Sequence, residues 1–248
     1  CIRDRRLPVM LCPCGISDNN FDAPRRQQAQ DYLRQFAENL LGYRPDVVLS
    51  HVMFLTLKSA VWRDLRVLYH LESKLAQANQ RGVYFLVATD QSARSPVDVQ
   101  GMESGWNWPV EHQAVSPDLS LQEANVYAFI EEFNQRCRAL RIILINQPGL
   151  SQHWCGRHWP EGMVGEDLEL GSDVVFSQGI YEPVAGKALA AMANGALGVV
   201  TTTVRPPTTP NLISANYVNI LDVSREWRDL SALDPVSYTH LTLPTNRE

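Results

Sequence analysis

The sequence predicts an α/β fold: a parallel sheet covered by helices on both faces. Three observations lead there. The β-branched run 46–52 and the apolar run 83–88 read as buried strands. Between them, apolar residues recur every three to four positions, the period of an amphipathic helix. The two patterns alternate along the chain with no internal repeat, as in βαβ units.

The elements follow in order. Residues 7–12 are a short apolar run that stops at Pro13 and Gly15. Asp22-Ala-Pro24 opens a helix that runs to about Leu41. Tyr32, Leu33, Phe36, Leu40 and Leu41 keep its 3.6 period, and Gly42 ends it. Residues 46–52 are a strand. Residues 58–80 are a helix with Val61, Leu65, Leu68, Leu71 and Leu75 on one face, and 83–88 are a second strand. Residues 90–120 are polar and marked by Pro and Gly, so they read as a long connection, functional or disordered. Residues 121–140 read as a helix, acidic at its start and basic at its end, as the helix dipole favours. A strand over 141–146 and a Trp/His/Gly-rich loop over 147–161 come next. After them come a short helix near Asp167, a strand at 174–176, a helix at 185–193, and strands at 197–202 and 217–223. Such sheets bind ligands beyond the carboxyl ends of their strands. The loops after Ser50, Thr89, Asn146 and Gln178 should therefore share one rim.

Composition narrows the function. A formal net charge of -5 lacks the basic footprint of a nucleic-acid binder. No apolar run is long enough to span a membrane, and the start of the chain has no apolar signal-peptide core. Cys1, Cys12, Cys14, Cys137 and Cys155 are scattered, and Cys12-Pro13-Cys14 has the wrong spacing for a zinc knuckle. Reduced thiols and a cytoplasmic setting are expected. The chain opens on Cys1, without Met. Its end, Val236-Ser-Tyr-Thr-His-Leu-Thr-Leu-Pro-Thr245, resembles a translated adapter from a sequencing library. The expected object is an environmental (metagenomic) gene fragment cut at both ends, with 236–248 outside the fold.

The chemistry concentrates in residues 173–200, which read as strand, Glu182-Pro183 turn, small-residue helix, Gly195 and strand. A helix start offers unpaired N–H groups and partial positive charge, suited to a diphosphate. Val184, Ala185 and Gly186 are small enough for close approach, and Glu182 can accept from sugar hydroxyls. Taken alone, the pattern also fits a βαβ unit whose Glu-Pro caps a helix.

With Tyr181, Glu182, Pro183, Leu189, Met192, Ala193 and Gly195 in place, this stretch resembles the donor-sugar motif of retaining GT-B glycosyltransferases. These are group 1 enzymes of the glycogen and starch synthase type. The resemblance implies a Rossmann-like donor domain and transfer of a glycosyl group from a nucleotide diphosphate sugar to an acceptor hydroxyl. It implies retention of configuration, no metal and no cofactor beyond the donor. It also implies that Glu182 and the following backbone amides hold the sugar. Val184 departs from the family's aromatic residue and Ala185 from its glycine. Ala190 stands where a second Glu holds the nucleotide ribose; losing that contact costs about 1.5–3 kcal/mol, roughly tenfold to a hundredfold in affinity.

Residues 47–68 resemble the first strand-loop-helix of the same domain, where a Lys and an Arg neutralise the diphosphate. Lys58 fits the Lys position and also reads as a plain surface lysine. The Arg position is taken by His51 or is vacant, and Arg63 is a substitute or a solvated helix residue. Arg157, with His153 and Trp154, lies where the family holds the base. Trp106 and Trp108 fit either a sugar wall or packing anchors.

The implied organisation is an interdomain linker and first helix at 1–45, a truncated donor domain at 46–235 and the adapter tail at 236–248. The amino-terminal acceptor domain, which recognises the acceptor glycan, is expected to be missing and the fragment alone inactive. A non-catalytic scaffold is one alternative, since Ala185 and Ala190 weaken the site. A sugar-nucleotide epimerase is another. A phosphorylase needs a pyridoxal phosphate lysine, and no segment resembles that site.

Overall fold

The computed structural model describes residues 22–56, 61–89, 93–148, 155–177, 186–200 and 217–219. Its elements are α1 (Ala23–Leu41), β1 (Val47–Phe54), α2 (Val61–Gln77), β2 (Gly82–Thr89), α3 (Pro96–Trp106) and α4 (Leu121–Arg136). They continue with β3 (Leu140–Ile145), α5 (Asp167–Gly171), β4 (Val174–Ser177), α6 (Gly186–Ala193), β5 (Leu197–Val200) and β6 (Tyr217–Asn219). The six strands form one sheet in the order β3-β2-β1-β4-β5-β6, and every pairing is parallel.

Local chemistry fixes the helix ends. The Asp22 carboxylate accepts from the Arg25 N–H at 3.0 Å, Pro24 lies in the first turn, and Gly42 ends α1 at φ 71°. Ser120 and Glu123 form a reciprocal capping box at the start of α4. At the far end of the sheet, the Glu72 carboxylate of α2 accepts the N–H groups of Arg138, Ala139 and Leu140, which docks the start of β3.

Two apolar layers sandwich the sheet. On one face Leu33 and Phe36 of α1, Met102 of α3 and Trp159 pack on Val48, Val83 and Phe85. On the other, Leu65 and Leu68 of α2 and Ile130 and Phe133 of α4 pack on Leu49, Tyr84 and Leu86. Each such fully buried Leu or Phe contributes about 1.5–3 kcal/mol. Gly171 lets α5 meet α1 backbone to backbone: a Cβ there would lie 2.5 Å from the Ala29 carbonyl.

Three expectations change. Residues 90–120 are not one long connection, because α3 occupies part of them, with a Ser95/Asp98 capping box at its start. The helix expected over 121–140 ends at Arg136. Cys137 is extended, and Leu140 already pairs with Gly82. The strand expected over 46–52 continues to Phe54, so the loop expected after Ser50 begins only beyond Phe54 and His51 lies within β1. The expected strand at 7–12 lies outside the described residues.

Candidate functional site

The order 3-2-1-4-5-6 reverses direction between β1 and β4. In open parallel sheets that switch point, at the carboxyl ends, is where a crevice forms and ligands bind. Here the ladder confirms the opening. β1 pairs with β2 along its whole length, from Val47↔Gly82 to Phe54↔Thr89. With β4 it pairs only at Leu49↔Val174 and Ser50↔Val175, although both strands continue.

His51 is the first β1 residue beyond that last pair, and it is buried. Its Nδ1 lies 2.6 Å from Oδ2 of Asp64, in the first turn of α2. The Tyr84 hydroxyl donates to the same oxygen at 2.6 Å. Burial, followed by the charge and hydrogen bond of Asp64, holds the Tyr84 phenol well above its usual range, so it stays a donor. Phe176 of β4 stacks near the imidazole, at 6.4 Å between ring centres. Asp64 is fully buried, and its Oδ1 has no hydrogen-bond partner among the described residues.

Arg63 precedes Asp64 on α2 and lies over the Trp62 ring at 5.0 Å. Partial burial lowers its pKa and the Asp64 charge raises it; a guanidinium stays protonated in either case. Arg157 is in another place. Its N–H donates to Glu103 of α3 at 2.8 Å, and its exposed side chain turns to His158. Burial and the Arg157 charge lower the His158 pKa. The two arginines thus belong to segments packed on opposite faces of the sheet. Lys58, Tyr181, Glu182, Pro183, Val184 and Ala185, with His153 and Trp154, lie outside the described residues. Ala190 is partly buried on α6, and its carbonyl accepts from Asn194 at 2.9 Å.

A second polar cluster lines the same rim beyond β2 and β3. The Arg94 guanidinium binds both oxygens of Glu123 and the carbonyls of Pro117, Asp118 and Asn146. Asp118 accepts from His112, Trp106, Asn146 and the Gln113 N–H. His112 meets Asp118 through Nδ1 at 2.8 Å and the Leu144 carbonyl through Nε2 at 2.9 Å. Both partners are acceptors, so both ring nitrogens donate. Trp108 is wholly buried and donates to Asn146 at 2.9 Å. Trp106 and Trp108 are therefore packing and hydrogen-bonding anchors of the rim.

Sequence reasoning considered His51 but missed its partners. Asp64 and Tyr84 are 13 and 20 positions from the groups they bind, so only the fold brings them together. The available signal was a lone His, on the same strand face as Leu49, interrupting an apolar strand.

Solved structures share this architecture. The alpha,alpha-trehalose-phosphate synthase (UDP-forming) from Burkholderia xenovorans, in complex with glucose-6-phosphate, matches with a TM-score of 0.50 at 13% identity, over 90% of this chain and 43% of that one. The fold is the Rossmann-like fold of GT-B glycosyltransferases. Two further GT-B structures score lower. An alpha,alpha-trehalose 6-phosphate synthase from Burkholderia multivorans gives 0.47 at 12% identity, over 86% of this chain and 40% of that one. The catalytic domain of Starch Synthase IV from Arabidopsis thaliana, bound to ADP and acarbose, gives 0.39 at 11% identity, over 76% and 31%. The chain thus spans less than half the length of each. No family model and no curated protein matches the sequence. Among the described residues no helix is long and apolar enough to cross a membrane, and no three His, Cys, Asp or Glu groups converge as metal ligands.

Proposed function

We propose that the chain is the donor domain of a glycosyltransferase, binding a nucleotide diphosphate sugar at the β1/β4 switch point. One observation carries the reading. β4 ends at Ser177 on the rim where β1 and β4 stop pairing, and the motif Tyr181-Glu182-Pro183 follows it in the sequence, before α6 begins at Gly186. In this reading Glu182 accepts hydrogen bonds from the donor sugar, and Lys58 with Arg63 faces the diphosphate. As the sugar leaves, negative charge grows on the diphosphate, and prepositioned cations stabilise it. Transfer goes to an acceptor hydroxyl with retention and without metal. Arg157 is the base-side candidate. Residues 46–235 form the donor domain, 1–45 the linker and first helix, and 236–248 an appended tail. In this reading the chain supplies the donor side of the reaction.

Calorimetric titration with UDP and ADP tests this. Weak binding is expected, tightened about tenfold or more by Ala190→Glu, which returns a carboxylate to the ribose side. Glu182→Gln should weaken binding of the intact sugar nucleotide more than binding of UDP. Absence of binding to either nucleotide contradicts the reading. A non-catalytic scaffold is the second reading, favoured by the Ala at 190. It expects Ala190→Glu to change nothing.

A further inference from the structure

We propose that Glu103 of α3 is a positioning residue for a bound nucleotide: its carboxylate pins the Arg157 backbone, so that the Arg157 guanidinium meets the carbonyl edge of a pyrimidine base. The inference rests on the donor-site reading, in which Arg157 is the base-side candidate.

Three features support it. First, Glu103 is buried, and its Oε1 accepts the Arg157 N–H at 2.8 Å. A carboxylate acceptor makes this a strong bond. Burying a carboxylate is costly, so the position is not that of a solvated helix charge. Second, the turn before Arg157 is shaped around that carboxylate. Gly156 has φ 75°, and a Cβ there would collide with Oε1 and Cδ of Glu103. Glycine alone leaves room for the bond. Third, the connection from β3 is held elsewhere too. Gln147, two residues beyond β3, exchanges two hydrogen bonds with the Arg94 backbone, just ahead of α3. On the other side of Arg157, Asn39 of α1 donates to the His158 carbonyl at 3.1 Å, and Trp159 meets Phe36 edge-on at 5.1 Å. The backbone is thus fixed before and after Arg157, while its side chain is exposed. Its Nε donates to Nε2 of His158 at 3.3 Å, which uses one of five N–H donors. A planar fork on a rigid base suits the two carbonyl acceptors of uracil.

The test uses the whole chain, with UDP and inorganic pyrophosphate as probes that do and do not carry a base. Glu103→Ala should lower UDP affinity about tenfold and leave pyrophosphate affinity unchanged. Glu103→Gln keeps an accepting oxygen and should retain most of the UDP affinity. Arg157→Ala should lose as much as Glu103→Ala, and combining the two should cost nothing further, because the carboxylate acts through the arginine. A merely structural Glu103 lowers the melting temperature without changing the ratio of the two affinities. That outcome, or a loss shared equally by UDP and pyrophosphate, overturns the inference and leaves the donor site standing. No UDP binding by wild type overturns both. If Glu103→Ala does not fold, hydrogen exchange of the wild type decides. The Arg157 amide that donates to Glu103 should exchange more slowly with UDP bound but not with pyrophosphate, and equal rates in the free and both bound states end the proposal.

Discussion

Two buried polar clusters occupy one rim of this sheet, and they are built to opposite specifications. Around Arg94, Glu123, Asp118, His112 and Asn146 the donors and acceptors meet within the protein. Around His51, Asp64 and Tyr84 one carboxylate oxygen, Oδ1 of Asp64, is left over among the described residues. In the proposed reading, the closed cluster is scaffold and the open one borders the donor site. A saturated network rigidifies and specifies packing, whereas an unsaturated one has bonding capacity to offer a ligand.

The largest expected effect lies in the closed cluster. Arg94→Met leaves Glu123 buried without its cation and should destabilise the fold by about 3–5 kcal/mol in urea denaturation. A loss under 1 kcal/mol, roughly the value of an exposed pair, would show that the network is less closed than its geometry says.

A paired comparison comes next. Asp118→Asn removes the charge facing His112 and should cost about 1.5–3 kcal/mol. Asp64→Asn should cost about 1 kcal/mol or less, because one amide oxygen still serves both His51 and Tyr84. The reverse order would break the distinction between the two clusters.

Acid gives a smaller and more local effect. Burial raises the Asp118 pKa, but the hydrogen bond and charge of His112, with the bonds from Gln113 and Trp106, outweigh it and leave a net lowering. A carboxyl lowered on folding stabilises above its unfolded value, about 3.9, and loses that contribution as pH falls through the folded value. Trp106 and Trp108 bond directly to this cluster, so their fluorescence should report a transition below about pH 4 that Asp118→Asn lacks.

The parts of the fold legible in the sequence were those with local causes. β1, β2 and β3 are buried on both faces, so their apolar runs stand out. Asp22, Pro24 and Gly42 mark both ends of α1 by capping chemistry. The helix α3 was missed because Gly101, Gly105 and Pro96 resemble loop punctuation, although Ser95 and Asp98 carried the capping signal. Leu140 was assigned to the preceding helix because an apolar residue fits either element; only its register against Gly82 settles the matter. The candidate site divides the same way. Tyr181-Glu182-Pro183 is a local motif, visible in the sequence, and lies outside the described residues. Asp64 at a helix start looks like a surface charge until Tyr84, from the neighbouring strand, is seen to donate to it.

The most direct test of the switch-point site is an amide chemical-shift map of the whole chain titrated with UDP. The account predicts that shifts concentrate at His51, Asp64, Tyr84, Ser177 and Ala190, while Arg94, His112, Asp118 and Asn146 stay still. Shifts confined to the Arg94–Asp118 cluster, or spread evenly along the rim, would contradict it.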